Sequence, residues 1–153
     1  MNIANFVEQE NIVIGIDAAN KMEAIDKLAT ILQQNGKLND KNGFIVAVLD
    51  REEHFTTGIG NGIAIPHGKT DYVKQSSIAI AKLKTAVEWQ AMDDLPVDLV
   101  FLLAIQDSDA SDLHLKLLQQ IAVKLMDDDI VAALKSAVTA EEIIVALQRE
   151  SEF

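Results

Sequence analysis

The segment with the clearest chemical potential is Pro66-His67-Gly68, a histidine held between a proline and a glycine. Imidazole is a side chain that can act as a nucleophile or an acid–base group near neutral pH. Pro66 stiffens the backbone before the histidine, and Gly68 permits irregular backbone after it. We therefore expect His67 to lie at the end of an element, both exposed and oriented, where it can do chemistry.

Two further polar residues fall on helix faces that are otherwise apolar. Arg51 continues the helical spacing of Val48, and His114 shares a stripe with Leu117. Such an arginine commonly extends its head to solvent, and such a histidine is commonly a core residue. Alternatively, Arg51 presents its guanidinium to an anion, and His114 reaches a site at its helix N-terminus, where anions bind. Arg51, His114 and His67 together indicate a site in which a nucleophilic histidine acts on a bound anionic group.

Four of the seven glycines lie between positions 58 and 68, in the run Thr57-Gly-Ile-Gly-Asn-Gly-Ile-Ala-Ile-Pro-His-Gly. Glycine admits positive φ angles and lets backbone N–H groups approach a ligand closely. The run therefore predicts either a ligand-binding loop or a bulged turn between strands. It matches neither the dinucleotide-binding nor the P-loop spacing of glycines, so it does not indicate a nucleotide site.

Other chemistries fit the sequence less well. His54, His67 and His114 are separated by 13 and 47 residues, without the paired spacing of a zinc site. No Gly-x-Ser-x-Gly segment indicates a serine hydrolase, and a chain without cysteine has no thiol nucleophile or disulfide. We expect His54 at the surface end of its helix. The three aspartates 127–129 are expected to form a solvated loop that caps the next helix.

The elements that must position these residues follow from hydrophobic periodicity. Strands are predicted at residues 11–16, 77–84 and 97–105, the last being apolar enough for a central strand buried on both faces. Helices are predicted from Asn20 to Gly36, from about Asp40 through Arg51, from Ser108 or Ser111 to Met126, at residues 130–137, and after Thr139. Helices interleaved with strands indicate an α/β sandwich, in which helices flank a mixed central sheet.

Composition limits the possible partners. The chain has 153 residues, and 13 lysines and arginines stand against 24 aspartates and glutamates, giving a net charge of −11. Nucleic acids and anionic membrane surfaces require basic patches, so they are disfavoured as partners. The longest apolar run, residues 99–105, is far shorter than the roughly 20 residues of a membrane-spanning helix, and no signal-peptide pattern is seen. We expect one cytoplasmic domain over residues 1–153.

Several segments together resemble the fructose/mannitol-type IIA component (EIIA type 2) of the bacterial phosphoenolpyruvate-dependent sugar phosphotransferase system. They are Arg51-Glu-Glu, the run from Thr57 to Lys69, Val87-Glu-Trp89, residues 97–105 and His114-Leu-Lys-Leu-Leu118. The resemblance covers nearly the whole chain. Its central motif is specific, because the glycine run and Ala-Ile-Pro-His-Gly occur in register with Arg51 upstream and His114 downstream.

The resemblance implies a phosphotransferase that carries a phosphoryl group on His67. In this family the histidine accepts the group from the phosphohistidine of the small carrier HPr and passes it to a IIB component, usually at a cysteine. Arg51 and His114 match the assisting arginine and histidine, and Thr57 matches the hydroxyl residue before the glycine run. No metal or cofactor is implied. Nε2 is implied as the reacting nitrogen, and IIB and the membrane permease IIC are expected on separate chains.

Two functional classes remain open at this point. The segments Val87-Glu-Trp89 and Leu102-Leu-Ala-Ile105 resemble the fructose branch, which favours a transport phosphocarrier. The alternative is the nitrogen-related branch, whose members bind target proteins according to their phosphorylation state. A phosphocarrier must dock two proteins in turn at one histidine, so we expect an apolar patch around His67 that includes whichever of Ile59, Ile63 and Ile65 face outward.

Overall fold

The computed structural model describes residues 3–108 and 112–150. Its strands are β1 (Val7–Ile16), β2 (Gly58–Gly60), β3 (Ile63–Ala64), β4 (His67–Thr70), β5 (Ser77–Val87) and β6 (Val97–Gln106). Its helices are α1 (Lys21–Gln34), α2 (Lys41–His54), α3 (Leu113–Leu125), α4 (Asp128–Ser136) and α5 (Ala140–Gln148), and a short 3-10 helix at Ile3–Phe6 precedes β1. Within the described ranges, no helix has the length and apolar character needed to cross a bilayer.

The strands of the described residues form one mixed sheet in the order β1-β5-β6-β3-β2, with β4 also pairing with β6. β1 runs parallel to β5, and β5 runs antiparallel to β6. β3 and β4 both run parallel to β6 and pair with successive parts of it, so they form one strand interrupted at Ile65 and Pro66. The interruption places His67 at the first position of β4.

β6 is the centre of the molecule. Its alternate residues point to opposite faces of the sheet: Val100, Leu102 and Ala104 pack with α1 and α2. Leu99, Phe101, Leu103 and Ile105 pack with α3, α4 and α5. The prediction of a central strand buried on both faces is confirmed, as is the α/β sandwich with a mixed sheet.

Local capping signals set most helix boundaries correctly. The Asn20 side chain accepts a hydrogen bond from the backbone N–H of Glu23 at 2.9 Å, and the Thr139 hydroxyl accepts one from that of Glu142 at 3.1 Å. The third helix begins at Leu113 rather than at Ser108, which lies in a turn. The other predicted start, Ser111, lies outside the described residues.

Asp127 was predicted to lie in a solvated loop, but the structure buries it. It is buried, and its carboxylate accepts hydrogen bonds from the backbone N–H groups of Asp129 and Ile130 at 2.9 and 3.3 Å. The capping role of this residue is confirmed, whereas its exposure to solvent is not. A carboxylate tolerates this burial because the first turn of α4 supplies donors and the positive end of the helix dipole.

Candidate functional site

His67 is half-buried and oriented by its own chain. Its Nδ1 lies 3.0 Å from the carbonyl oxygen of Ile65. A carbonyl oxygen only accepts hydrogen bonds, so Nδ1 carries the proton in this contact. In the neutral ring, Nε2 is then unprotonated and has a free lone pair. An imidazole held in this way can act as a nucleophile through Nε2.

The surroundings of His67 favour its neutral form. Burial is the largest cause that lowers the pKa of His67, and the positive charge of Arg51 and the proximity of His114 lower it further. The hydrogen bond to Ile65 and the carboxylate of Glu52 oppose this effect by raising the pKa. The net pKa lies below the ordinary value of 6.5, so the imidazole is neutral at pH 7.

Arg51 reaches the site because α2 packs tightly against β4. A Cβ atom at Gly68 would lie 3.0 Å from Cγ2 of Val48 and 3.2 Å from a ring carbon of Phe44, so glycine allows this approach. Arg51 follows Val48 by one turn, in the last turn of α2. Its Nη1 donates a hydrogen bond to the carbonyl oxygen of Phe55 at 2.7 Å, which leaves further guanidinium N–H groups to bind an anion.

His114 is the second residue of α3, and the prediction that it lies in the first turn is confirmed. It is half-buried, and its Nδ1 is buried with no hydrogen-bond partner among the described residues. Burial lowers the pKa of His114, and the positive charge of Lys69 lowers it further. His114 lies close enough to act electrostatically on His67, so the fold brings these two histidines and Arg51 to one site.

The glycine run folds as a turn. β2 and β3 form a hairpin around Asn61 and Gly62, whose φ angles are 58° and 75°. Two consecutive positive φ angles are those of a type I′ turn, for which Asn-Gly is a favoured pair. Of the two interpretations open from sequence, the turn between strands is the one that the structure confirms.

Thr57 lies in the wall of the site, but its hydroxyl is directed inward. The residue is 3% exposed, and its Oγ1 accepts a hydrogen bond from Nε1 of Trp89 at 3.2 Å. The Thr57 hydroxyl also donates to Oε1 of Glu52. Its polar atoms are therefore engaged by the protein interior.

Glu52 is a site residue that sequence reasoning did not identify. It belongs to the Arg51-Glu-Glu segment, and it follows Val48 by four residues, so it continues the buried stripe of α2. Its side chain is 5% exposed and pairs with Lys21 at 3.4 Å between Nζ and Oε2. The helical spacing that singled out Arg51 thus also places Glu52 at the edge of the buried stripe, although spacing alone does not decide which of the two is buried.

An open pocket of about 390 Å³ adjoins His67 and Arg51. Its apolar lining includes Phe55, Ile59, Ile65, Met92, Leu115 and Leu118. Ile59 is exposed, Ile65 is half-buried, and Ile63 is buried in the core. The expected apolar patch is therefore present, and it includes Ile59 and Ile65 but not Ile63.

The fold and the pocket define an α/β protein whose neutral, oriented histidine stands beside an arginine in an open apolar depression. Residues 5–150 match the family described as "Phosphoenolpyruvate-dependent sugar phosphotransferase system, EIIA 2". The chain is 36% identical over 144 residues to the PTS system fructose-specific EIIABC component of Bacillus subtilis, which covers 94% of this chain and 22% of that protein. It thus spans about a fifth of the length of that relative.

Two solved structures share the fold over almost their whole length. The nitrogen regulatory protein IIA-Ntr from Neisseria meningitidis has a TM-score of 0.87 and 28% identity, over 95% of this chain and 99% of that one. Enzyme IIAMTL of Escherichia coli, solved in complex with phosphorylated IIBMTL, has a TM-score of 0.77 and 25% identity, over 92% and 95%. The chain belongs to the EIIA type 2 family of the sugar phosphotransferase system, whose IIA components transfer phosphoryl groups to IIB.

Proposed function

We propose that this chain accepts a phosphoryl group on His67 from phospho-HPr and passes it to a IIB component, for the coupled uptake and phosphorylation of a fructose-type sugar. The observation that carries the proposal is the hydrogen bond from Nδ1 of His67 to the carbonyl oxygen of Ile65, which leaves Nε2 free as a nucleophile. The similarity to a fructose-specific EIIABC component supports the sugar class.

In the accepting step, the lone pair on Nε2 of His67 attacks phosphorus in line with the bond to the donor histidine. The new N–P bond forms as the old one breaks, and its electron pair returns to the donor imidazole. The proton on Nδ1 stays in the hydrogen bond to Ile65. In the onward step a IIB thiolate attacks phosphorus, and the electron pair of the Nε2–P bond returns to His67.

Arg51 and His114 assist this transfer without carrying phosphate. The guanidinium of Arg51 compensates negative charge on the phosphoryl oxygens as the group moves. His114, neutral because burial lowers its pKa, offers an imidazole N–H to the same oxygens. Thr57 contributes to the pocket wall, since its hydroxyl is held by Glu52 and Trp89.

The partners are proposed to dock in turn on the exposed residues of the apolar patch, which are Phe55, Ile59, Met92 and Leu115. A shared surface is required because both reactions occur at one nitrogen, so HPr and IIB must compete. A modest interface suits brief encounters and fast release. Because HPr and the cytoplasmic face of the IIC permease lie in the same compartment, we place the protein in the cytoplasm.

A second function is favoured by the similarity to IIA-Ntr, which has a TM-score of 0.87. In that case the phosphorylation state of His67 would control binding to target proteins rather than sugar uptake. The two functions differ in the fate of the phosphoryl group. Onward transfer to a fructose-type IIB supports transport, whereas a stable phosphoprotein that no IIB dephosphorylates supports regulation.

The test is incubation with phosphoenolpyruvate, enzyme I and HPr, followed by mass spectrometry. We expect one acid-labile phosphate per chain, absent in His67→Ala, and its loss when a fructose-type IIB is added. Phosphate on His54 or His114 in the His67→Ala variant would overturn the assignment of His67.

A further inference from the structure

Glu52 lies on α2, and its buried carboxylate contacts three other parts of the chain. Its Oε2 pairs with Nζ of Lys21, the first residue of α1, and accepts a hydrogen bond from the backbone N–H of Thr57 at 3.3 Å. Its Oε1 accepts hydrogen bonds from the Thr57 hydroxyl and, at 3.4 Å, from Nε1 of Trp89. Both carboxylate oxygens are thus satisfied by groups from α1, the turn before β2 and the segment after β5.

These partners are needed because burying a carboxylate is costly unless it is paired and hydrogen-bonded. Lys21 supplies the opposite charge, donates to the carbonyl oxygen of Trp89 at 3.2 Å, and lies 5.7 Å from the centre of the Trp89 ring. Removing Glu52 would therefore take one partner away from each of Thr57, Trp89 and Lys21.

The same turn carries the guanidinium of Arg51. Arg51 precedes Glu52 directly, and its Nη1 donates to the carbonyl oxygen of Phe55. Two hydrogen bonds therefore fix this turn. On the buried side Glu52 accepts from Thr57, and on the pocket side Arg51 donates to Phe55. Arg51, Phe55 and Thr57 all line the pocket beside His67.

We propose that Glu52 is a positioning residue for phosphoryl transfer at His67. Through Thr57 and Trp89 it keeps the turn of residues 51–57 in the one conformation that aims Arg51 at the transferring group. This inference rests on the proposed function, because it assigns Glu52 a part in that reaction. Glu52 itself touches neither the phosphoryl group nor the partner, since its side chain is 5% exposed.

The negative charge of Glu52 also acts on the pKa of His67, which can be measured separately from the transfer rate. Arg51 and Glu52 face His67 from α2, His114 faces it from α3, and the Ile65 carbonyl contacts its ring. Of these, the Glu52 carboxylate raises the pKa of His67, in opposition to Arg51 and His114. Neutralising Glu52 should therefore lower the pKa of His67 further. The pKa shift reports that the carboxylate acts on the imidazole, and the loss of maximal rate at an unchanged KM reports its positioning role.

The experiment compares Glu52→Gln with the wild type and with a matched control, Glu8→Gln. Glu8 also pairs with a buried lysine, Lys37, at 2.8 Å, but it lies on β1 and neither residue of this pair lines the pocket, whereas Glu52 holds the pocket residue Thr57. Rapid-quench transfer from phospho-HPr gives the maximal rate and the KM for the donor. NMR titration of the His67 ring gives its pKa, and thermal unfolding monitors the fold.

We expect Glu52→Gln to lower the maximal rate roughly 10- to 100-fold, the range for a misplaced catalytic group, with a KM for phospho-HPr within about twofold of wild type. The pKa of His67 should fall, and Glu8→Gln should match the wild type in both readouts. Thr57→Val, which removes the hydroxyl but keeps the shape, should slow transfer while leaving the pKa of His67 unchanged. It also serves as the test if Glu52→Gln does not fold.

A wild-type rate in folded Glu52→Gln, or an equal loss in Glu8→Gln, would overturn the role of Glu52. For the Thr57→Val variant, the overturning result is transfer at the wild-type rate. If the wild-type chain takes up no phosphate at all, the proposed function fails instead. The His67 titrations would then still decide whether Glu52 acts on that imidazole.

Discussion

The Nδ1 atom of His67 lies 3.0 Å from the carbonyl oxygen of Ile65, two residues earlier in the chain. Pro66, between them, is buried, and its own carbonyl oxygen accepts a hydrogen bond from the backbone N–H of Leu103 on β6 at 3.0 Å. The segment that orients the imidazole is thus anchored to the central strand of the sheet. The tautomer of His67 is therefore set by rigid backbone rather than by a side chain that could rotate away.

The first prediction concerns the titration of His67. Because burial lowers the pKa of this residue below 6.5, more than half of the maximal rate of phosphoryl acceptance should remain at pH 6.5, and the rate should fall at lower pH. NMR titration of the imidazole, together with transfer rates from phospho-HPr between pH 5 and 8, provides the measurement. A titration midpoint above 6.5 would contradict the prediction.

The lowered pKa of His67 should also make the free energy of unfolding depend on pH. Below pH 6.5 the unfolded chain binds a proton at His67 more readily than the folded chain does, so the free energy of unfolding falls as the pH drops through the unfolded and then the folded pKa. At pH 8 both states are neutral at this residue, and the contribution vanishes. His67→Gln should therefore lose less stability between pH 7 and 5 than the wild type, as measured by urea unfolding.

Arg51→Lys is predicted to slow phosphoryl transfer although it keeps the positive charge. Lysine loses the planar fork that binds two phosphoryl oxygens and also loses the geometry of the bond to Phe55. Removing one transition-state donor typically costs about 3–4 kcal/mol, or roughly 10²–10³ in rate. Stopped-flow transfer rates near wild type in a folded variant would show that Arg51 does not assist the transfer.

His114→Ala is predicted to slow onward transfer to IIB more than it weakens HPr binding. Its Nδ1 has no hydrogen-bond partner within the described ranges, so truncation breaks no such bond at that atom and should change the free energy of unfolding by about 1 kcal/mol or less. Single-turnover transfer to IIB, with HPr affinity measured in parallel, separates the two effects. A loss of HPr binding as large as the loss of transfer would refute the prediction.

Gly68→Ala is predicted to be destabilising and to impair transfer. The added methyl group would lie 3.0 Å from Cγ2 of Val48, and overpacking of this kind costs about 1–3 kcal/mol. It should also push α2, and with it Arg51, away from His67. In a double-mutant cycle, Val48→Ala should partly rescue Gly68→Ala, because it removes the clashing carbon; purely additive effects would argue against this contact.

Ile59→Asp is predicted to weaken the docking of HPr and of IIB alike. Ile59 is exposed on the apolar lining of the pocket, where a charge would be desolvated by either partner. Val138→Asp is the matched control, because Val138 is 72% exposed and lies outside that pocket. Chemical-shift mapping that finds separate footprints for HPr and IIB, or simultaneous binding of both, would exclude a shared surface.

Local signals in the sequence were sufficient for much of the fold. The apolar run of residues 97–105 predicted the central strand, and the Asn20 and Thr139 caps predicted two helix starts, because these signals depend on residues only a few positions apart. Of the two predicted starts of α3, Ser108 is too early, and Ser111 lies outside the described residues. The cap residue of α3, Asp112, makes no side-chain capping hydrogen bond, so no local signal marked the boundary.

By itself the sequence indicated that an oriented histidine follows a glycine run, for which a ligand-binding loop and a turn both stayed open, and that a helix carries Arg51 near its end. These features rest on backbone preferences of glycine and proline and on helical periodicity, all of which act over a few residues. The resemblance to EIIA type 2 proteins likewise came from segments read in order along the chain.

Only the tertiary structure decided which polar group at the end of α2 is buried. Arg51 and Glu52 are adjacent, and neighbouring helix positions differ by about 100°, so periodicity alone places both at the edge of the buried stripe. Glu52 turns inward because Lys21 and Trp89, 31 and 37 residues away in sequence, meet it there and satisfy its charge. No local pattern contains that information, since the partners come together only when the sheet and its helices have packed.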